Sequence, residues 1–141
     1  MKKTTANFAP QSLYTVKQPE WSSHAVIYQV NTRQFSTSGD FKGVITGLPH
    51  IKALGADIVW LMPIHPIGNK YRKGELGSPY AVKDYFAINP EFGNEGDLKA
   101  LVEEAHKLSL KVIIDWVPNH SAWDNPLVES HPHWYAKDYK A

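Results

Sequence analysis

The sequence reads Leu110-Lys111-Val112-Ile113-Ile114 and then, without a break, Asp115. Such an apolar run has the length of a strand, and its composition is typical of a strand that is buried on both faces of a parallel sheet. Asn119 and His120 come shortly after it. Because α/β folds bind ligands at the carboxyl ends of parallel strands, these polar residues are the first candidates for a functional site.

Two further strands are predicted before this one. Residues 25–30 are rich in β-branched and aromatic side chains, and residues 58–62 form a second apolar run that is stopped by Pro63. The polar stretch at residues 31–40 is expected to be a loop. The pattern therefore places three short strands along the chain, each followed by polar residues.

Apolar residues at helical spacing fill both intervals between the strands. The first set is Val44, Ile45, Leu48, Ile51 and Leu54. Gly55 is the expected C-cap of this helix, and Pro49 is expected to kink the helix or to begin its second half. Asn94 and Asp97 are expected to cap a second helix, whose apolar face is Leu98, Leu101, Val102, Ala105 and Leu108. The alternation predicts an α/β fold with a parallel sheet and right-handed crossovers.

Composition and charge exclude several classes of function. The 141 residues are 43% hydrophobic and 21% charged, with a formal net charge of +1, which is typical of one ordinary globular domain. No basic patch suits a nucleic acid or an anionic membrane, and no apolar stretch approaches the roughly 18 residues of a membrane helix. The chain has no cysteine, which excludes disulfides and thiolate metal sites. Neither a nucleic acid nor a membrane is expected as a partner.

The compartment and the aromatic content add two further points. Lys2 and Lys3 resemble the start of a signal peptide, but no apolar segment follows them. The protein is therefore expected either in the cytoplasm or outside it after removal of a signal peptide. Aromatic residues make up 12% of the chain, which favours the binding of a flat ligand.

Each polar residue after the third strand allows a functional and a structural interpretation. Asp115 is either a site carboxylate or a strand-end residue that caps loop amides, and its position requires a cationic or hydrogen-bonding partner. His120 could bind a metal, shuttle a proton or donate to a substrate hydroxyl, or have no role. Asn119 offers an oxygen to calcium or caps a turn. His131 and His133 flank a proline without a third ligand and are interpreted as loop residues.

Several short motifs occur in a characteristic order between residues 25 and 120. They are Val26-Ile27-Tyr28-Gln29, Gly39-Asp40-Phe41-Lys42-Gly43, the run from Leu54-Gly55 to Met62-Pro63-Ile64, Ser78-Pro79-Tyr80, Asp84-Tyr85, Phe92-Gly93, and Asp115 to His120. Together they resemble the α-amylase family, glycoside hydrolase family 13. The resemblance implies a (β/α)8 barrel with an extra domain inserted after strand three.

On this resemblance the chain is expected to hold the first three β/α units of a (β/α)8 TIM barrel. Residues 1–24 are predicted to be an N-terminal arm, residues 25–116 the first three strands and two helices, and residues 117–141 the start of the inserted domain. A full barrel needs roughly 250 residues, so a truncated barrel is expected. The family's nucleophile and acid follow later strands, so both are expected beyond Ala141 and no catalytic residue is expected in this chain.

The resemblance also implies roles for five residues. Tyr80 corresponds to the aromatic ring that lies against the sugar at the cleavage subsite, and His120 to the imidazole that hydrogen-bonds the hydroxyls of that sugar. Asp115 corresponds to a supporting carboxylate and Asp84 to a structural one. Asn119 corresponds to a calcium ligand in the members that bind calcium there, and no organic cofactor is implied.

The expected function is that of an N-terminal fragment of an α-glucan-active retaining glycoside hydrolase or transglycosidase. Its partner would be an α-glucan or maltooligosaccharide, and it would need the rest of the barrel. One alternative is a non-catalytic relative that serves as an interaction scaffold. Another is a carbohydrate-binding fragment whose loop aromatics stack on sugars; these are Trp123, Trp134, Tyr135 and Tyr139. Two residues depart from the family pattern. Pro79, in place of the commoner glycine, stiffens the loop, whereas Ala81, where some relatives place a second aromatic, leaves the subsite geometry and the sugar preference open.

Overall fold

The computed structural model describes residues 17–136, which form three parallel strands with helices between them. The strands are β1 (Ile27–Val30), β2 (Ile58–Leu61) and β3 (Lys111–Ile114). The helices are α1 (Thr32–Phe35), α2 (Phe41–Ala53), α3 (Glu95–Lys107) and α4 (Pro126–Ser130). Single 3-10 turns lie at Glu20–Ser22 and Pro132–Trp134.

The three strands lie side by side in chain order, and both pairs are parallel. Ile27 is opposite Ile58, which is opposite Lys111, so the strands begin in register and end at the same edge. The connection from β1 to β2 contains α2, and the connection from β2 to β3 contains α3. The predicted parallel sheet with intervening helices is confirmed.

One face of the sheet carries the hydrophobic core. Val30 on β1 and Val59 and Leu61 on β2 are buried there. Alternate residues of a strand share a face, so these side chains define the face that the helices cover. The helix residues buried in the same cluster are Phe41, Val44, Leu48 and Ile51 of α2 and Leu101 and Ala105 of α3.

The opposite face of the sheet is only partly covered. Ile27 of β1 is 50% exposed and Ile113 of β3 is 41% exposed, although both side chains are large and apolar. The register places them on one face together with Trp60 of β2. In a closed barrel this face is the interior, which side chains from all the strands fill. The sheet therefore has the form of a partial barrel.

Side-chain caps define where the two long helices begin. At the start of α2, Asp40 accepts a hydrogen bond of 2.8 Å from the backbone N–H of Gly43. A hydrogen bond from Ser38, followed by the one from Gly43, holds the pKa of Asp40 below its usual value. At the start of α3, Asn94 and Asp97 form a reciprocal capping box, as predicted.

The structure corrects several details of the predicted elements. Residues 31–40, predicted to be a loop, contain α1, because the carbonyl of Asn31 accepts the N–H groups of Gln34 and Phe35. A helix of one turn is too short to leave an apolar period in the sequence. Helix α2 begins at Phe41 and continues through Pro49, so the proline does not start a separate half. Each strand has four residues, one or two fewer than predicted.

Some predictions fall partly or wholly outside the described residues. These are the first 16 residues of the N-terminal arm and, at the other end, residues 137–141 with Tyr139. Trp21, within the predicted arm, lies in the turn Glu20–Ser22, with the ammonium of Lys111 5.7 Å from its ring centroid. The division into domains after residues 24 and 116 stays a prediction. Within residues 17–136, no helix combines the length and the apolar character that crossing a membrane requires.

Candidate functional site

Two long loops leave the carboxyl edge of the sheet side by side. Residues 62–94 connect β2 to α3, and residues 115–136 follow β3. The N–H of Met62 donates to the carbonyl of Val30 at 3.0 Å, and the N–H of Asp115 donates to that of Leu61 at 2.9 Å. Both loops therefore start from neighbouring positions of the strand ladder, and the residues that follow the two strands lie in one region.

Tyr80 and Asp115 meet between these two loops. The phenol of Tyr80 donates a hydrogen bond of 2.9 Å to Oδ2 of Asp115, and both side chains are partly buried. This hydrogen bond, followed by burial and by the negative charge of Asp115, raises the pKa of Tyr80 above its usual value. The carboxylate at the end of β3 thus has the hydrogen-bonding partner that its position requires.

His120 lies on the exposed loop after β3, and Tyr85 holds its backbone. The phenol of Tyr85 is 2.7 Å from the carbonyl oxygen of Val117 and 2.7 Å from that of His120. Burial, with a smaller effect of Tyr135, raises the pKa of Tyr85 above its usual value of 10.0, so the phenol keeps its proton at neutral pH. Tyr85 therefore ties the loop after β2 to the segment that carries His120.

The surroundings of Tyr85 are themselves ordered. The ring of His65 packs edge to face against that of Tyr85, with 5.9 Å between the centroids, and Nδ1 of His65 is 2.9 Å from the carbonyl oxygen of Ala87. Asp84 accepts a hydrogen bond of 2.8 Å from the backbone N–H of Phe86, which closes a local turn. The sequence marked Asp84 and Tyr85 as a motif but did not show that Tyr85 reaches the other loop.

Two arginines order the loop after β2. Arg33 forms an ion pair of 3.0 Å with Glu91 and donates to the carbonyl of Leu76 at 3.2 Å. Arg72 donates to three backbone carbonyls of the same loop, at residues 67, 68 and 75. Sequence reasoning assigned neither arginine a role, because Glu91 is 58 residues from Arg33 in the chain and backbone carbonyl partners leave no signal in the spacing of side chains.

The acidic residues of the described chain serve mainly as structural groups. Asp40 and Asp97 cap helices, and Asp57 accepts a hydrogen bond of 3.0 Å from the N–H of Val26 at the amino edge of the sheet. Within residues 17–136, Asp115 is the one acid that directly follows a strand. Asp115 is therefore the one carboxylate of this part of the chain that a strand places directly at the carboxyl edge.

The expected calcium ligand, Asn119, lies on the loop after β3. Asn119 is exposed, and its Nδ2 is 3.4 Å from Nδ1 of His120. Calcium takes six to eight oxygen ligands. Across residues 17–136, no three histidine or carboxylate side chains come together as metal ligands would. The residues present here do not build a calcium site by themselves.

The loop aromatics pair with neighbouring rings. Trp134 stacks on His131 with 4.1 Å between the ring centroids, and Trp123 packs edge to face against Tyr71 with 5.9 Å between them. The hydroxyl of Tyr135 is 2.9 Å from Oγ of Ser121. A cavity of about 470 Å³ beside His120 is lined largely by aromatic and apolar side chains, among them Tyr85, Phe86, Trp116, Leu127 and Trp134.

Known proteins match the chain over most of its length. The sequence profile for the alpha amylase catalytic domain matches residues 10–140. Trehalose-6-phosphate hydrolase of Bacillus subtilis is 36% identical over 114 residues, which are 77% of this chain and 19% of that protein. Oligo-1,6-glucosidase of Parageobacillus thermoglucosidasius is 37% identical over 111 residues, which are 75% and 19%. The chain thus spans about a fifth of the length of these curated relatives.

Solved structures show the same relationship. An α-amylase from Lactobacillus plantarum is 51% identical with a TM-score of 0.79, and the match covers 82% of this chain and 27% of that one. A noncanonic maltogenic α-amylase from Thermotoga neapolitana is 42% identical with a TM-score of 0.76, covering 82% and 28%.

The parallel strands, their uncovered inner face and the polar residues at their carboxyl ends define part of a (β/α)8-barrel protein. The chain belongs to the α-amylase family and contributes the first three β/α units of the catalytic barrel. The expected family and the truncated-barrel fold are confirmed.

Proposed function

We propose that the chain supplies one wall of the sugar-binding site of an α-glucan-active retaining glycoside hydrolase or transglycosidase. The observation that carries the proposal is the hydrogen bond between Tyr80 and Asp115 at the carboxyl end of β3, next to the loop that Tyr85 ties at His120. An aromatic ring and an imidazole in one region offer the two contacts that a sugar needs, namely stacking and hydrogen bonding.

Each of these residues has a distinct role in the proposed site. Asp115 positions the ring of Tyr80 by accepting its phenol proton in a hydrogen bond. The ring of Tyr80 then lies against the apolar C–H surface of a glucosyl unit. A ring nitrogen of His120 donates to a hydroxyl of the same unit. A donor fixed in advance stabilises the charge that develops in the transition state more than it stabilises the bound substrate.

Breaking the glycosidic bond requires catalytic groups in addition to this wall of the sugar-binding site. A retaining glycosidase uses two carboxyl groups about 5 to 5.5 Å apart. Asp115 is the one acidic residue within 17–136 that directly follows a strand, and the phenol of Tyr80 occupies one of its oxygens. The nucleophile and the acid are therefore proposed to come from outside these residues, as are the strands that close the barrel.

The names of the relatives support an α-glucosidic substrate. They include a trehalose-6-phosphate hydrolase, an oligo-1,6-glucosidase and α-amylases. A maltooligosaccharide is the substrate that we propose to test first, because amylases match this chain with the highest identity among the relatives described above.

The complete gene product that carries this sequence provides the test. We expect it to hydrolyse or transfer maltooligosaccharides, and we expect His120→Ala to lower kcat/KM about 10- to 1000-fold, the range for loss of one transition-state donor. Trp21→Phe is the control, since Trp21 lies beside Lys111 at the amino edge of the sheet. An unchanged kcat/KM in His120→Ala would remove His120 from the site. Binding of the sugar without turnover would instead favour the carbohydrate-binding alternative.

A calcium role for Asn119 needs further oxygen ligands beside it. If such ligands join it, calcium should raise the melting temperature of the complete gene product, because a ligand that binds only the folded state stabilises it. Asn119→Ala should then abolish that increase. A melting temperature that chelators and calcium leave unchanged would exclude the role.

A further inference from the structure

Tyr80 is held by a short hairpin in the loop after β2. The two arms of the hairpin, residues 66–68 and 81–83, pair through an antiparallel bridge between Ile67 and Val82. Backbone hydrogen bonds of 2.9 and 2.8 Å join the arms on either side of this bridge. Because Tyr80 directly precedes the second arm, these bonds hold its backbone from within its own loop.

The segment that follows His120 packs against this hairpin. The N–H of Ala122 donates to the carbonyl of Val82 at 2.9 Å, and Nδ2 of Asn125 donates to the same carbonyl at 3.1 Å. The three residues that make these contacts are buried. They therefore form a joint between the two loops at the carboxyl edge of the sheet.

Asp124 lies within this joint and contacts both arms of the hairpin. Its Oδ2 accepts a hydrogen bond of 2.9 Å from the N–H of Asn69, just after the first arm, and lies 3.9 Å from the ammonium of Lys83, at the end of the second. We propose that Asp124 is a positioning residue of the sugar site, whose carboxylate fixes the segment of His120 against the hairpin of Tyr80. This role rests on the proposed function, because Asp124 acts on the sugar only through His120.

The space around the carboxylate of Asp124 is closed. Its Oδ1 is buried, and a Cβ placed on Gly68 would lie 2.5 Å from this oxygen and would overlap the methyl group of Ala122. The two loops approach this closely because position 68 has no side chain. Within residues 17–136, no group hydrogen-bonds Oδ1. An amide at position 124 would therefore either lose the acceptor for the N–H of Asn69 or bury its NH2 group without a partner, and both are unfavourable.

The carboxylate of Asp124 is ionised at neutral pH. Burial raises the pKa of this group, but the N–H of Asn69, the N–H groups of residues 124 and 70, and the ammonium of Lys83 together bring the pKa below its usual value. The hydrogen bond from Asn69 is therefore charge-assisted. A charged acceptor holds the joint more firmly than a neutral amide would.

The joint matters for His120 because this residue lies in an exposed loop. Tyr85 holds the loop at Val117 and at His120 itself, and Asp124 holds it on the far side of His120. Misplacing a reacting group by about 1 Å can lower a rate by a factor of about 100. Loss of the carboxylate should therefore reduce the rate although Asp124 does not touch the sugar.

A double-mutant cycle in the complete gene product tests this role. Asp124→Asn should lower kcat/KM for a maltooligosaccharide about 10-fold when His120 is present, since the imidazole is then misplaced. In the His120→Ala background the same substitution should change kcat/KM by less than about 2-fold, because the group that it positions is absent. A merely structural role of Asp124 would give the same loss in both backgrounds.

Asp57→Asn is the matched control. Asp57 also accepts a backbone N–H, that of Val26 at 3.0 Å, but it does so at the amino edge of the sheet. Asp57→Asn should leave kcat/KM within about 2-fold of the wild-type value, even where it lowers the melting temperature as much as Asp124→Asn does. Circular dichroism measures the melting temperature and verifies that each variant is folded. An equal loss of kcat/KM in the two variants would overturn the role of Asp124.

A second variant, Gly68→Ala, disturbs the same joint and leaves the carboxylate in place. Its Cβ would displace Asp124 and Ala122, so it should lower kcat/KM in the wild-type background and not in the His120→Ala background, even if Asp124→Asn does not fold. An equal loss in both backgrounds, or wild-type kcat/KM in a folded Asp124→Asn or Gly68→Ala protein, would overturn the role of Asp124 and leave the proposed function intact. An unchanged kcat/KM in His120→Ala alone would overturn the proposed role of His120, and with it that of Asp124.

Discussion

The hydrogen bond between Tyr80 and Asp115 leads to a prediction at alkaline pH. Because the pKa of Tyr80 is raised above its usual 10.0, the stability that its protonated phenol contributes is present below about pH 10 and is lost as the pH rises through the raised pKa. Asp115→Asn removes the negative charge and should lower the pKa of Tyr80 toward its usual value. Tyrosinate absorbance in an alkaline titration measures this, with Tyr80→Phe to assign the signal. A Tyr80 titration that Asp115→Asn leaves unchanged would contradict the pairing.

A second prediction at the residue scale concerns Tyr85. Tyr85→Phe keeps the ring but removes the donor to the carbonyls of Val117 and His120, so the free energy of unfolding should fall by about 0.5–1.5 kcal/mol. The KM for a maltooligosaccharide should rise as well, because the segment of His120 loses its tether. Denaturant unfolding and steady-state kinetics of the complete gene product measure the two effects. Tyr28→Phe is the control, since Tyr28 packs on the core away from these loops; equal effects of the two variants would show that Tyr85 has no special role.

At the scale of single residues, the sequence says least about which groups a side chain hydrogen-bonds. The position of Asp115 after a buried strand predicts that it needs a partner, but Tyr80 is 35 residues away in the chain and spacing alone does not name it. The resemblance singled out Tyr80 for its ring and not for its phenol. Tyr85 lies equally far from His120 and bonds only backbone oxygens, so its contact with that loop follows from the fold alone.

At the scale of single elements, the capping box of α3 supports a direct test. Asn94→Ala removes the acceptor for the N–H of Asp97 and should lower the free energy of unfolding by about 0.5–2 kcal/mol. Asn94→Ser should retain most of the stability, because serine is also a good N-cap. Chemical denaturation of the complete gene product distinguishes the two variants. Equal loss in both would indicate that the amide packs there and does not act as a cap.

The predicted elements agree with the structure where the pattern is long. The sequence predicts α3 because its capping residues and its apolar face indicate the same start and end. It predicts β2 because the apolar run there is uninterrupted. The one-turn helix α1 and the five-residue α4 are missed, since elements this short depend on local hydrogen bonds and caps such as Asn125. The long loop after β2 is located by the sequence, but its order comes from Arg33 and Arg72, whose partners are distant or in the backbone.

At the scale of the whole molecule, the inner face of the sheet predicts how the 141-residue chain behaves alone. Ile27 and Ile113 remain substantially exposed, and within residues 17–136 β1 and β3 each have one edge that pairs with no other strand. We expect the isolated chain to aggregate or to resemble a molten globule, with binding of a hydrophobic dye and a weak near-ultraviolet circular dichroism spectrum. A cooperative melt that does not depend on concentration, together with a strong near-ultraviolet spectrum, would contradict this expectation.

The overall architecture follows from motifs spread along the chain. No single run distinguishes a barrel from an open α/β sheet, because both begin with the same strand and helix alternation. The order of the motifs from residue 26 to residue 120 indicates the family. The partly covered inner face of the sheet then agrees with part of a barrel. The edge-to-face contact of Tyr71 with Trp123 could not be predicted, since it forms only when the two loops fold against each other.

A crystal structure of the complete gene product with a bound maltooligosaccharide tests the proposed sugar wall most directly. The expected result is a glucosyl ring against the ring of Tyr80, with a nitrogen of His120 within hydrogen-bonding distance of one of its hydroxyls. The carboxyl groups flanking the scissile bond should come from residues outside 17–136. A sugar bound only at a site remote from Tyr80, or a nucleophile found within residues 17–136, would contradict it.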